Sequence, residues 1–269
     1  MSILDDLLDD LATVGLRLRE TVALLTEEQW RLPTPAEGWD VATTISHLAW
    51  TDEASLLATR AARGDKQEWD ELVLEAIQDP EGFVDAEALA GATVPGAELL
   101  LRWDAARVAL TEALREAGAA GGKLPWFGPP MSPASMATAR LMETWAHGLD
   151  VHDALGTSPE RTDAVRHVAH LGVRTRGFAY AARGLDLPTA EVRVRLTLPS
   201  GGTVEFGPED AEQSITGSAW DFARLVTQRV HRDDTDLVAA GTDADRWLDI
   251  AQAFAGPPGG GRRPEGSPA

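Results

Sequence analysis

Long stretches in the first two thirds of this chain repeat apolar side chains every three or four residues, and after Pro188 the repeat shortens to two. The first spacing belongs to helices with one apolar face, the second to strands buried on one side. Residues 3–25 set the pattern with Leu4, Leu7, Leu8, Leu11, Val14, Leu18, Val22 and Leu25. Thr26 and Gln29 form a capping-box pair for a short turn, and 33–39 is a loop by its Pro and Gly content. Asp40 is placed as the N-cap of a second helix over 41–63, which stops at Gly64. A short helix is predicted over 67–78, ahead of Pro80, and long ones over 96–117 and 134–155. A further helix is predicted over 160–183. Four long helices with short or medium links predict an antiparallel bundle.

Beyond Pro188, residues 191–198 alternate as a strand, 199–202 is turn chemistry, and 203–207 returns to complete a hairpin. A third strand at 214–216, a helix over 218–230, a strand at 237–240 and a last helix over 243–255 follow. The fold class expected is mostly α with a C-terminal α+β module. Its parts are a helical bundle over 1–185, a small α+β module over 186–256, and a disordered Gly-, Pro- and Arg-containing tail over 257–269.

Charge then narrows the function. The chain has 24 Lys and Arg against 43 Asp and Glu, a net charge of −19. Such a surface does not displace counterions from nucleic acid and is repelled by anionic lipid, so neither partner is expected. There is no cysteine, which excludes disulfides, a cysteine nucleophile and thiolate metal sites. The acidic start lacks the basic n-region of a signal peptide, and no apolar run is long enough to span a bilayer. A cytoplasmic protein is expected, as monomer or homodimer.

Any metal must therefore sit on His, Asp or Glu. Glu143 and His147 lie four residues apart in the 134–155 helix, on one face and one turn from each other. Within a bundle that is a bite for a divalent metal, completed by a residue from a facing helix. Asp150, three residues on, keeps the same face and is placed to orient the imidazole. His152 falls on the opposite face. His47, in the otherwise apolar stretch Ile45-Ser46-His47-Leu48-Ala49-Trp50, fits the facing helix. Its other reading is a core histidine bonded to a backbone carbonyl. Arg140, one turn before Glu143, is placed to clamp an anionic substrate. Trp126 and Phe127, in the Pro-rich loop 124–133, read either as core packing or as a pocket wall. Trp39, Trp50 and Trp145 read as core.

The order Gly38-Trp39-Asp40-Val41, His47-Leu48-Ala49-Trp50 and, about a hundred residues on, Glu143-Thr144-Trp145-Ala146-His147-Gly148-Leu149-Asp150 resembles the DinB-like fold. More closely it resembles the mycothiol-dependent maleylpyruvate isomerase family and its metal-binding relatives. The resemblance covers most of the chain. It implies a DinB-like four-helix bundle followed by a sterol-carrier-like module, and a zinc site on His47, Glu143 and His147. It further implies mycothiol as co-substrate, a low-molecular-weight thiol activated at the open metal position. Arg229 falls where the family places a functional arginine, so Asp150 and Arg229 are the expected catalytic residues. Arg140, Trp126 and Phe127 are the expected substrate contacts.

The activity expected is isomerisation or S-transfer on a small organic substrate. The acidic stretch 65–95 offers no basic pocket for a dicarboxylate, and the Trp126–Phe127 loop suits a larger, less polar molecule. Two other functions fit the same residues. One is a metal-hydroxide hydrolase or isomerase with Asp150 or a nearby carboxylate as base. The other is a non-catalytic carrier of an apolar molecule with a structural metal. His167 and His170 are expected to be dispensable for metal.

Overall fold

The computed structural model describes residues 3–267, which fall into two compact units parting between Pro159 and Glu160. The first holds α1 (Ile3–Val22), α2 (Glu27–Trp30), α3 (Val41–Ala62), α4 (Gln67–Gln78), α5 (Phe83–Gly91), α6 (Gly96–Ala120) and α7 (Pro133–Leu155). Helices α1, α7, α3 and α6 close a four-helix ring, each packed on the next. Capping sets the ends that matter. Asp40 accepts from the Thr43 amide at 2.7 Å, and Ser132 accepts from the Ser135 amide at 3.1 Å ahead of Pro133. Gly156, at φ 64°, closes α7 in the left-handed region. The capping box of Thr26 and Gln29 is present as predicted.

Helix α3 is the central element. Residues 41–52 are buried without interruption, because α5, α6 and α7 cover it on several sides. Its apolar side chains join those of α1 and α6 in one core around Ile45, Leu48, Leu99 and Trp103. This matters for the site, because a polar side chain within 41–52 is dry whichever way it points. Helix α5 was not predicted: it buries only Phe83 and Ala88, too few to make an apolar stripe.

Asp52, also buried on α3, accepts from Trp103 Nε1 at 3.2 Å. Burial pushes its carboxyl up to about 7, against the opposing pull of Arg140 and the Trp103 hydrogen bond. The folded state therefore holds this proton more tightly than the unfolded chain. The linked stability is complete below the unfolded carboxyl value and declines as pH rises towards 7. Relative to Asp52→Asn, the parent is expected to lose a few kcal/mol, on the order of 3, between about pH 4 and pH 7. Urea titrations of both proteins across that range check it.

The second unit contains α8 (Val165–Arg174), α9 (Arg176–Ala181), β1 (Val192–Thr197), β2 (Thr203–Phe206), β3 (Gln213–Ser218), α10 (Ala219–Val226), β4 (Val238–Ala240) and α11 (Thr242–Ile250). The sheet order is β2-β1-β3-β4, with β1 and β3 parallel and both outer pairs antiparallel. Val192, Val194 and Leu196 point inward from β1, as the alternation requires.

Two outcomes differ from the sequence reading. The helix expected over 160–183 is two pieces, hinged at Thr175, whose hydroxyl bonds the carbonyls of Leu171 and Gly172 on α8 and of Gln252. Those pieces pack on α10 and α11, so the units part near 159 where the sequence placed the boundary at 185. Gly172 permits this approach: a Cβ there would lie 2.8 Å from both Val226 methyls. Residues beyond Ile250 continue without a helix, and the Ala253 amide bonds the Val226 carbonyl at 2.7 Å. Among the described residues no helix is long and apolar enough to cross a membrane.

Candidate metal centre

Helices α3 and α7 bring the three expected ligands together. His47 is 7% exposed on α3, while Glu143 and His147 share one face of α7. A single carboxylate oxygen, Glu143 Oε2, lies 3.2 Å from His47 Nε2 and 3.2 Å from His147 Nε2. One ligand atom from each residue lies within 4.8 Å of the others.

The electrostatics suit a cation. Burial holds the His47 imidazole below its ordinary value, against the pull of Glu143, with His147 and Arg140 adding to the lowering. Burial would raise Glu143, but hydrogen bonds to His147 and His47 and the charge of Arg140 hold it well below the usual carboxylate range. An imidazole pushed towards its neutral form beside a carboxylate held towards its ionised form is the donor chemistry of a divalent metal. Two nitrogens and one oxygen leave a position for an exchangeable ligand.

The surroundings hold these groups in place. Asp150 Oδ2 lies 3.2 Å from His147 Nδ1, so the carboxylate on the next turn turns Nε2 towards Glu143. Trp39 does not behave as a core residue. The turn through Gly38, at φ 78°, delivers its ring 5.1 Å from His47 and, stacked at 21°, 5.6 Å from His147. The sequence carried that signal only in the nearness of Trp39 to the α3 cap. His152 is directed elsewhere, its Nδ1 2.7 Å from Thr157 Oγ1. Asp150→Asn is expected to weaken metal binding ~10- to 100-fold, the usual cost of losing a group that orients a ligand. A chelator-competition titration reads it.

The expected substrate contacts occupy the next layer of the same bundle. Arg140 is buried on α7, with its guanidinium 5.8 Å over the Trp126 ring. A two-residue bridge, Leu124 to Met131, cinches the loop that carries Trp126 and Phe127. Phe127 stacks on Trp50 at 6.1 Å, and Trp126 stacks on Trp69 at 6.0 Å. Trp69 and Phe83 were not singled out from the sequence. Each is the lone large buried side chain of a short acidic helix, and isolated aromatics there gave no periodic signal.

The remaining residues belong to the second unit. Arg229 follows Gln228, a non-glycine residue at φ 60°, and its Nη1 donates to the Thr227 carbonyl at 2.6 Å. His167 and His170 are on α8, and the His170 ring sits 5.7 Å from Phe206. Among the described residues the one group of three metal-capable side chains is His47, Glu143 and His147.

Comparison with known proteins agrees with this layout. The uncharacterized protein Rv0036c of Mycobacterium tuberculosis (strain ATCC 25618 / H37Rv) is 53% identical over 241 residues, covering 90% of this chain and 92% of its own. The uncharacterized protein MT0041 of strain CDC 1551 / Oshkosh matches to the same extent. Crystal structures of the mycothiol-dependent maleylpyruvate isomerase and of a histidine-to-alanine mutant of it share the fold, with TM-scores of 0.56 and 0.59 at 16% identity. Each comparison covers 89% of this chain and 93% of that one. The family description "Mycothiol maleylpyruvate isomerase N-terminal domain" matches residues 11–152, a stretch that begins in α1 and includes His47, Glu143 and His147. That match spans over half of the chain, and the chain belongs to the mycothiol maleylpyruvate isomerase N-terminal domain family.

Proposed function

We propose that this chain is an enzyme that holds a divalent metal, zinc being the ion expected, on His47, Glu143 and His147. It uses that centre to activate a low-molecular-weight thiol such as mycothiol for isomerisation or S-transfer on a small organic substrate. The observation that carries the reading is the shared oxygen of Glu143, 3.2 Å from an imidazole nitrogen on each side. When bound, the metal supplies Lewis acidity, which lowers the pKa of a thiol at its open position and yields a thiolate near neutral pH without any protein cysteine.

The chain's own groups do the rest. Asp150 is a positioning residue in this reading, because its carboxylate faces His147 Nδ1 and is not free to act as base. Trp39 shields the imidazoles from water on one side. Arg140 receives an anionic group of the substrate, and Trp126 with Phe127 faces its body. Arg229 keeps the role implied by the resemblance, a functional arginine of the second unit.

Thiol dependence separates this reading from a metal-hydroxide enzyme or a carrier. Across a panel of cis-configured unsaturated acids, the zinc-loaded protein is expected to turn over a substrate only when mycothiol is added. Turnover without thiol would replace the proposal with hydroxide chemistry. Full zinc occupancy without turnover on any acid tested would favour the carrier.

A further inference from the structure

Next to the metal-binding side chains, both helices carry groups that a metal does not use. On α7, Arg140 precedes Glu143 by one turn, and on α3, Trp50 follows His47 by one turn. The two helices run in opposite directions: His47 meets Glu143, while further along α3 Ser55 Oγ meets Met136 Sδ at 3.5 Å. Both offsets therefore lead to the same end of the bundle, one layer beyond the ligands.

Arg140 in that layer is 5% exposed, and its Nε and Nη1 have no hydrogen-bond partner among the described residues. A guanidinium this buried is normally paired. The carboxyls that act on it do not serve as that partner. Glu143 faces the two histidines, and Asp52 accepts from Trp103 Nε1, with burial raising its carboxyl towards the neutral form. Neighbouring cations are occupied: Arg102 grips Glu53 through two bonds of 2.8 and 2.6 Å, and Arg107 holds Asp104. An unpartnered guanidinium of this kind matches one carboxylate in charge and in donors.

One aromatic ring faces the guanidinium, and further rings back that wall. Trp126 lies 5.8 Å beneath it. Phe127 packs on Trp50, Trp69 and Phe83 at 6.1, 5.2 and 6.3 Å, yet remains 40% exposed. An aromatic ring buttressed by four others, Trp126 at 5.1 Å among them, and still partly exposed is a preformed stacking surface.

We propose that Arg140 with the Trp126–Phe127 wall is an acid-binding subsite selective for a single carboxylate on an aromatic or similarly flat unsaturated body, over a short aliphatic dicarboxylate. This rests on the reading of the adjacent centre as the reaction site, and it names the substrate class of that site.

Isothermal titration calorimetry on the zinc-loaded full chain tests it with three probes: trans-cinnamate, maleate and cinnamyl alcohol. Cinnamate is expected to bind at least ~10-fold tighter than either of the others. Arg140→Gln is expected to erase the preference for cinnamate over the alcohol. Trp126→Ala, a loop change that leaves the bundle core intact, is expected to erase the preference over maleate. Maleate binding as tightly as cinnamate, equal affinity for acid and alcohol, unchanged affinity in Trp126→Ala, or no heat from any probe would overturn the proposal. Repeating the titrations on His147→Ala separates it from the metal reading. Preference for cinnamate that survives there supports the subsite even if no metal is found in the parent protein. Binding lost there but kept in Arg140→Gln places the acid on the metal and ends the subsite proposal, with the metal reading intact.

Discussion

Replacing His147 by alanine is expected to empty the metal centre while leaving the bundle folded. The substitution removes one of two nitrogen donors and also the partner of Asp150, whose side chain lies 3.2 Å from His147 Nδ1. Loss of a donor exceeds the ~10- to 100-fold effect of disturbing an orienting group, so affinity is expected to fall by more than ~100-fold. Elemental analysis of purified protein is expected to give close to one zinc per chain in the parent and almost none in the variant. Full occupancy in His147→Ala would place the metal elsewhere. The helix itself has little reason to fail, because His147 is partly exposed and alanine is the best helix former.

The second large effect is on stability. Trp103 is 1% exposed on α6, packed in the core with Ile45 and Leu99, and donates through Nε1 to buried Asp52. Trp103→Ala is expected to cost ~3–5 kcal/mol, the usual range for removing a large aromatic side chain from a close-packed interior. Trp103→Phe keeps most of the ring and loses the hydrogen bond, at a smaller cost of about 1 kcal/mol. Urea unfolding followed by far-ultraviolet circular dichroism gives both differences. Equal losses in the two variants would mean that the hydrogen bond to Asp52, and not ring packing, dominates there.

Much of the site was legible before the fold. The four-residue spacing of Glu143 and His147 decides by helix geometry alone that they share a face. Asp150 follows from the same arithmetic, and His152 is excluded by it. His47 was a candidate for a different reason: an imidazole in an otherwise apolar run also reads as a core histidine, and the family resemblance is what marked it as a ligand. Its pairing with Glu143, ninety-six residues away, became visible only when α3 and α7 packed together. Trp39 was read as core because nothing local distinguishes a ring that packs on side chains of the interior from one that packs on two imidazoles.

The fold divides along the same line. Strands and long helices announced themselves because each repeats a period that burial on one face imposes. Helix α5 did not, because Phe83 and Ala88 alone bury little, and an acidic surface hides so short an element. The boundary between the units escaped for a related reason. The sequence predicts helix over 160–183, but which core a helical face joins depends on the surface that is complementary to it. The close approach of Gly172 to Val226 is a property of two segments fifty-four residues apart.

The sequence by itself determined the elements, the shared face of Glu143 and His147, and the exclusion of any thiolate site, because these follow from composition and from backbone periodicity within one segment. Only the tertiary structure decided that His47 packs onto that pair, which tryptophan lies over it, and that the Arg140 guanidinium is buried against the Trp126 ring with two of its nitrogens lacking a partner among the described residues. Those are relations between segments far apart in the chain, and they exist only once packing has brought the segments into contact.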